Sequence, residues 1–192
     1  MAENGVLYAT GVIHGRFQVL HNDHVKYIMA GKRLCHNLVI GITNPDIITT
    51  GFEKSDPKRD EVLANPLTYY ERYIIIKNMM LENSVDFKQI SIVPFPINYP
   101  DMYKQYLPMD GVFFLTIYDD WGRQKLKYFK SLNLKYHVLW EISYEEKGIS
   151  STDIRSDMLN NKKWQDRVPE STQQLLVEWN IVQRLKKMSN IS

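Results

Sequence analysis

The chain has 192 residues, 44% of them hydrophobic, which suits one domain built around a single sizeable core. Lysine and arginine number 24 against 22 aspartates and glutamates, a formal charge of +2, so no strong field draws the protein to a polynucleotide or a membrane surface. The lone cysteine, Cys35, excludes an internal disulfide, MAENGVLYAT lacks the pattern of an export signal, and no apolar run is long enough for a membrane span. A soluble protein of a reducing cytoplasm is expected, and a homo-oligomer is compatible with the composition. Cys35 lies beside His36, but two adjacent residues without further ligands do not make a metal site.

Taken in chain order, Val6 to His14 and Asn37 to Thr43 are short, apolar and β-branched, and they flank a helical stretch from about His24 to Cys35, so they form a βαβ unit. Asn44 to Pro66 holds three prolines, one glycine and the charged run EKSDPKRDE without a period, and is read as a lid or substrate loop carrying Lys54, Lys58 and Arg59. Thr68 to Glu82 reads as helix, with Thr68 and Glu71 as a capping box. Gln89 to Phe95 is a third strand, followed by the aromatic-rich Asn98 to Leu107. Gly111 to Tyr118 is a fourth strand, apolar enough to be buried on both faces. Trp121 to Leu132 is predicted helix, Leu134 to Trp140 a fifth strand, Glu145 to Gly148 a turn, and the chain from Ser151 onward helical with a break near Pro169. The fold class is therefore α/β: a Rossmann-like parallel sheet of about five strands flanked by helices, with a C-terminal helical extension. Residues 1–192 are expected to be one domain, with 1–148 as the core and 149–192 carrying the last helices.

Two segments carry chemistry. GRFQVLHNDH, Gly15 to His24, places two histidines three apart where the first strand hands over to a helix. A helix start offers unpaired N–H groups and partial positive charge, and side chains at i and i+3 share a face, so His21 and His24 are placed to hold one phosphate. GISSTDIR, Gly148 to Arg155, sets Ser150, Ser151 and Thr152 at another helix start with Arg155 one turn on; an ordinary helix cap is the alternative reading.

These two motifs, in this order on an α/β pattern, resemble the HxGH-type nucleotidylyltransferases, whose signatures are HxGH and an ISxTxxR-like segment. The resemblance is nearest to archaeal-type nicotinamide-nucleotide adenylyltransferases, with counterparts for GRFQ, NPLTYYER, VPFPIN and WQDRVP along most of the chain. It implies direct attack of a substrate phosphate oxygen on the α-phosphorus of a nucleoside triphosphate, ATP or CTP, with release of pyrophosphate and with Mg2+ held mainly by the phosphates rather than by a protein cage. By the same resemblance, His21, His24 and Arg155 are the catalytic residues, and Gly15, Arg16, Phe17, Ser150, Ser151 and Thr152 bind the triphosphate. The implied partners are small-molecule substrates, with no nucleic acid and no membrane.

The chain departs from the pattern in three places. The motif glycine of HxGH is Asp23 here, and the proline after GRFQ is Val19. Asp23 either turns away as a helix cap or sets negative charge against an anionic ligand, in which case the protein is a nucleotide-binding regulator without turnover. After the fourth strand, TIYDDWG (Thr116 to Gly122) is similar to a segment of glycerol-3-phosphate cytidylyltransferases, making Asp119, Asp120 and Trp121 candidate base-binding residues, or simple helix caps. Nicotinamide mononucleotide adenylyltransferase is the leading expectation, with a CTP-dependent enzyme acting on a phosphate or phosphonate as the alternative. Arg72 and Tyr103 are candidate acceptor contacts: the first for a phosphate, the second by stacking or else as a core residue.

Overall fold

Strand order in the sheet determines where a ligand can sit. In a computed structural model, which describes residues 7–44, 62–146 and 148–190, strands β1 (Tyr8–Gly15), β2 (Cys35–Thr43), β3 (Ile90–Phe95), β4 (Val112–Ile117) and β5 (Tyr136–Glu141) run in the order β3-β2-β1-β4-β5. Every neighbouring pair is parallel. The order reverses at β1, so the carboxyl ends of β1 and β4 border the crevice in which such sheets bind ligands.

Alternation along the strands sorts side chains into two cores. Ile13, Leu38, Ile40 and Ile42 face α1 (Asn22–Leu34), α2 (Tyr69–Glu82) and the C-terminal helices α5 (Ser151–Leu159), α6 (Glu170–Glu178) and α7 (Ile181–Ser189). Val12, Val39, Phe95, Phe113 and Leu115 face the short α3 (Tyr103–Tyr106) and α4 (Asp120–Ser131). β4 is buried almost throughout, as its continuous apolar run requires.

Several element ends differ from the sequence expectation. α1 begins at Asn22 rather than His24 and stops at Leu34. Cys35 is already extended and opens β2, because pairing with Tyr8 of β1 supplies the backbone partners that another helical turn would have given. Gly15 extends β1 by one residue, and the aromatic-rich segment resolves into one turn of 3-10 helix, Pro100–Met102, followed by α3. The capping box of α2 forms as expected between Thr68 and Glu71. Glu71 is not paired with its neighbour Arg72; it takes a two-pronged ion pair from Arg184 of α7, at 2.7 and 2.8 Å. The proposed lid, with Lys54, Lys58 and Arg59, falls mostly on residues 45–61, outside the described residues.

Arg72 links helix and sheet. Only 2% exposed, it donates from Nε to the Thr68 carbonyl, from Nη1 to the carbonyls of Arg16 and Thr43, and from Nη2 to that of Asn44. It thus ties the chain just beyond β1 to the end of β2. Burial lowers its pKa to about 10, opposed by Tyr69 and assisted by Arg16, so it remains a cation at neutral pH. Replacing Arg72 with Leu strands these carbonyls in the interior. Chemical denaturation should show a loss of about 3 kcal/mol or more, and a loss under about 0.5 kcal/mol, ordinary for surface sites, would show that the tether is not structural.

Candidate active site

The chain leaves β1 through a crowded turn. Phe17 has a left-handed backbone, φ 53°, and its ring packs under Gly15, where an added Cβ would lie 2.9 Å from the ring. The turn ends at His21, the residue before α1. The His21 and His24 rings stack at 3.7 Å between centroids, the His21 N–H donates to His24 Nδ1 at 3.3 Å, and Phe17 meets His24 edge-on at 5.1 Å. The i, i+3 spacing therefore does what the sequence suggested: both imidazoles are gathered at one helix mouth. His21 Nδ1 is buried with no partner among the described residues, which leaves it available to a ligand.

The second motif folds back onto this turn. Arg155 donates to the Gln18 carbonyl and, at 3.2 Å, to the Thr152 hydroxyl, while the Ser151 hydroxyl donates to the Val19 carbonyl at 2.8 Å. Ser150 forms a capping box with Asp153, so its hydroxyl serves the helix start, the alternative reading of this segment. Gln18 is itself fixed by two hydrogen bonds to the backbone of Leu67, at 2.8 and 2.9 Å.

Asp23 turns toward the second motif rather than toward the imidazoles' open side. Its Oδ2 accepts from the Ile149 N–H at 2.6 Å, and its Oδ1 accepts from Lys26 at 2.6 Å. Gly148 makes this approach workable: it has φ 75°, and an added Cβ would fall 2.4 Å from Asp23 Oδ2. Burial pushes the Asp23 carboxyl up, but the bonds from Lys26 and Ile149 outweigh it and hold the group below the usual carboxylate range. The residue in place of the motif glycine thus latches the start of α1 to the segment that leads into α5.

The site is electropositive and its imidazoles are neutral. Burial lowers the His21 pKa to about 4 against the opposing pull of Asp23 and Asp153, and burial, then His21 and Arg16, hold His24 well below its ordinary value. Burial and Arg16 bring Arg155 down to about 10. The Arg16 guanidinium thus lies near enough to bear on His24, Arg72 and Arg155 together. Imidazole, guanidinium and hydroxyl groups suit phosphate oxygens better than a hard divalent cation, which prefers carboxylates.

Sequence reading missed Gln18, Asn22 and Arg167. Asn22 donates to the Asp166 carbonyl at 3.1 Å, and Arg167 pairs with Asp157 while opposing protonation of His21. Gln18 and Arg167 lie in GRFQ and WQDRVP and Asn22 lies between the two histidines, all in segments that resemble the family, but nothing in their spacing points to contact. Also unforeseen is a cleft of about 630 Å³ beginning at Asp23 and Gly148 and running past Lys26, Tyr118, Trp140 and Ile142.

The base and acceptor candidates are engaged within the fold. Asp119 caps α4 by accepting from the Gly122 N–H at 2.9 Å, Asp120 pairs with Arg123 at 3.2 Å, and Trp121 lies under Lys125 at 4.7 Å. None of the three lines the cleft; their neighbour Tyr118 does. Tyr103 is 1% exposed, packed against Phe95 at 4.7 Å with its hydroxyl bonded to the Ile97 carbonyl. Its ring is part of the core, not an open stacking face, and Arg72 is committed to backbone carbonyls.

Two outcomes follow from this geometry. Asp23→Gly, which restores the motif glycine, should weaken triphosphate binding about tenfold in calorimetric titrations with CTP or ATP, because the second segment loses its latch; tighter binding would instead mark Asp23 as a repulsive charge. His14, like His21 and His24, is held neutral by burial. Above about pH 6.5 these rings are neutral in both folded and unfolded chains, and between 6.5 and about 4 only the unfolded chain takes up the protons. Thermal stability should therefore be flat above pH 6.5 and fall steadily as pH drops toward 4, and saturating triphosphate should blunt that fall by stabilising imidazolium. A flat profile across this window would contradict the neutral-imidazole site.

Comparison with known proteins agrees with the fold and the motifs. The cytidylyltransferase-like family matches residues 12–157, from β1 through both motifs. A phosphonoformate cytidylyltransferase of Streptomyces viridochromogenes is 40% identical over 177 residues, covering 92% of this chain and 95% of that one. The nicotinamide-nucleotide adenylyltransferase of Thermococcus kodakarensis is 24% identical, covering 93% of this chain and 88% of its own. Among solved structures, a bifunctional NMN adenylyltransferase/ADP ribose pyrophosphatase from Francisella tularensis shares the fold at a TM-score of 0.57 and 17% identity; the match takes in 96% of this chain and 57% of the larger one. With its two motifs converging on a five-stranded parallel sheet, the chain belongs to the cytidylyltransferase-like family and is a nucleotidyltransferase.

Proposed function

We propose that the protein is a cytidylyltransferase that joins CTP to a small phosphonate or phosphate acceptor and releases pyrophosphate. The observation that carries this reading is Tyr103. At the position where a pyridine ring would be expected to stack, the ring is instead locked into the core against Phe95, which favours an acceptor without an aromatic ring. The 40% identity to a phosphonoformate cytidylyltransferase over nearly the whole chain supports the same choice, as does the TIYDDWG segment.

In this reading an acceptor oxyanion attacks the α-phosphorus, a new P–O bond forms, and the bond to the bridging oxygen of pyrophosphate breaks. The leaving pyrophosphate takes up the displaced negative charge. The protein's part is positioning and charge stabilisation, without a covalent intermediate. His21 and His24 donate hydrogen bonds to phosphate oxygens, and the anion raises the pKa of His21, whose Nδ1 has no protein partner among the described residues. Arg16 and Arg155 offset charge on the pyrophosphate side. Magnesium enters with the triphosphate, held by its phosphate oxygens. The nucleoside occupies the cleft beside α1, where Trp140 and Tyr118 offer aromatic surface and the size suits a ligand of this kind. The cytoplasm, which supplies nucleoside triphosphates, is the compartment in which this reaction would run.

A nicotinamide mononucleotide adenylyltransferase is the second reading. It is favoured by the adenylyltransferase relatives, at 24% identity over 93% of the chain, and by the GRFQ, VPFPIN and WQDRVP segments. Pyrophosphate release measured with CTP and ATP, each against phosphonoformate and nicotinamide mononucleotide, separates the two. Turnover with CTP and phosphonoformate is the expected result; turnover confined to ATP and the mononucleotide would give the assignment to the second reading. Trp140→Ala should raise the KM for CTP about tenfold through lost stacking, and an unchanged KM would place the base elsewhere.

A further inference from the structure

We propose that the His14 imidazole, set beneath the carboxyl end of β1, recognises the acidic head of the acceptor. The inference deepens the cytidylyl-transfer reading and rests on it for the identity of the acceptor.

His14 is 6% exposed, and both ring nitrogens are buried with no hydrogen-bond partner among the described residues. Its neighbours on this face are apolar: the ring lies 5.4 Å from Phe95 and 5.4 Å from Phe129, above Val12 on the same strand face. A leucine or phenylalanine would fill such a position without leaving a donor and an acceptor unpaired. Folding therefore gives no reason for a histidine here, and a buried polar group without a protein partner calls for a ligand or water partner.

Placement decides which ligand. His14 precedes Gly15 and Arg16 at the end of the central strand, where the sheet order reverses. Its register partner is Gly41 of β2, and the ring sits between Phe95 of β3 and Phe129 of α4, on the face of the sheet that α3 and α4 cover. The proposed nucleoside cleft is walled by α1, which packs on the other face, and by Tyr118 and Trp140. The substrate that meets the α-phosphorus from the opposite side is the acceptor. A neutral imidazole supplies one N–H donor and one lone pair, which suits a partly protonated phosphonate or an adjacent carboxylate. Lys125, which sits over Trp121 at 4.7 Å, adds positive potential and keeps the ring neutral until an anion arrives.

The test uses the full-length protein. In His14→Phe the KM for phosphonoformate should rise about tenfold, with the KM for CTP unchanged and the Tm equal to or above wild type, because the unpaired nitrogens are gone. His14→Gln, which keeps a donor and an acceptor, should recover part of the loss and serves as the readout if the first variant does not fold. Independently of turnover, titrating phosphonoformate into wild-type protein labelled with 15N-histidine should shift the His14 ring nitrogens. Unchanged acceptor KM in both variants, or ring nitrogens unmoved by phosphonoformate, would overturn the proposal and leave a buried water as the ring's partner. Wild-type turnover with CTP decides the substrate reading separately. If nicotinamide mononucleotide proves to be the acceptor, the same measurements made with it decide the role of His14.

Discussion

The active site depends on hydrogen bonds that cross 126 to 137 residues of sequence: Ile149 N–H to Asp23, the Ser151 hydroxyl to the Val19 carbonyl, and Arg155 to the Gln18 carbonyl. They press a helix start from the end of the chain onto the turn that follows the first strand. One segment brings imidazoles, the other a guanidinium and hydroxyls, and in the proposed reading the clasp closes them around one triphosphate. Arg72 braces the turn by holding the ends of β1 and β2. Burial of the tethered arginines lowers their pKa values only to about 10, so they remain cations at neutral pH.

Such an arrangement suits phosphoryl chemistry for a physical reason. Nucleotidyl transfer needs little proton movement at the reacting oxygens, so a stacked pair of neutral imidazoles and a rigid set of cations can do most of what a protein can contribute. Because burial keeps His21 uncharged down to about pH 4, the free site avoids stacking two imidazolium rings against Arg16. In the proposed reading, charge on His21 appears only when the substrate supplies its own negative charge. The site is thus prepared for the anion without enduring repulsion in its absence.

Much of this was legible in the sequence, for identifiable reasons. Alternation and β-branched runs located five strands, and the i, i+3 histidines and the hydroxyl-rich helix start marked the two segments that the fold brings together, since local spacing governs local geometry. What escaped depends on contacts between distant residues. Asp23 was read as either a cap or a repulsive charge, because nothing local reveals that Ile149 N–H and a left-handed Gly148 lie opposite it. Tyr103 was read as a stacking ring or a core residue and Arg72 as an acceptor contact; packing decides both, committing one to Phe95 and the other to four carbonyls. The Trp140 and Tyr118 cleft was invisible for the same reason: its walls come from α1, the end of β4 and β5. His14 looked like one more residue of an apolar strand until its unpaired nitrogens were seen in place.

A crystal structure of the protein with a bound, non-hydrolysable CTP analogue tests the central claim most directly. The account predicts a triphosphate lying between the His21 and His24 rings on one side and Arg155 on the other, with the Asp23 to Ile149 hydrogen bond intact. A triphosphate bound away from this clasp, or a clasp that opens and separates the two segments to admit it, would contradict the account.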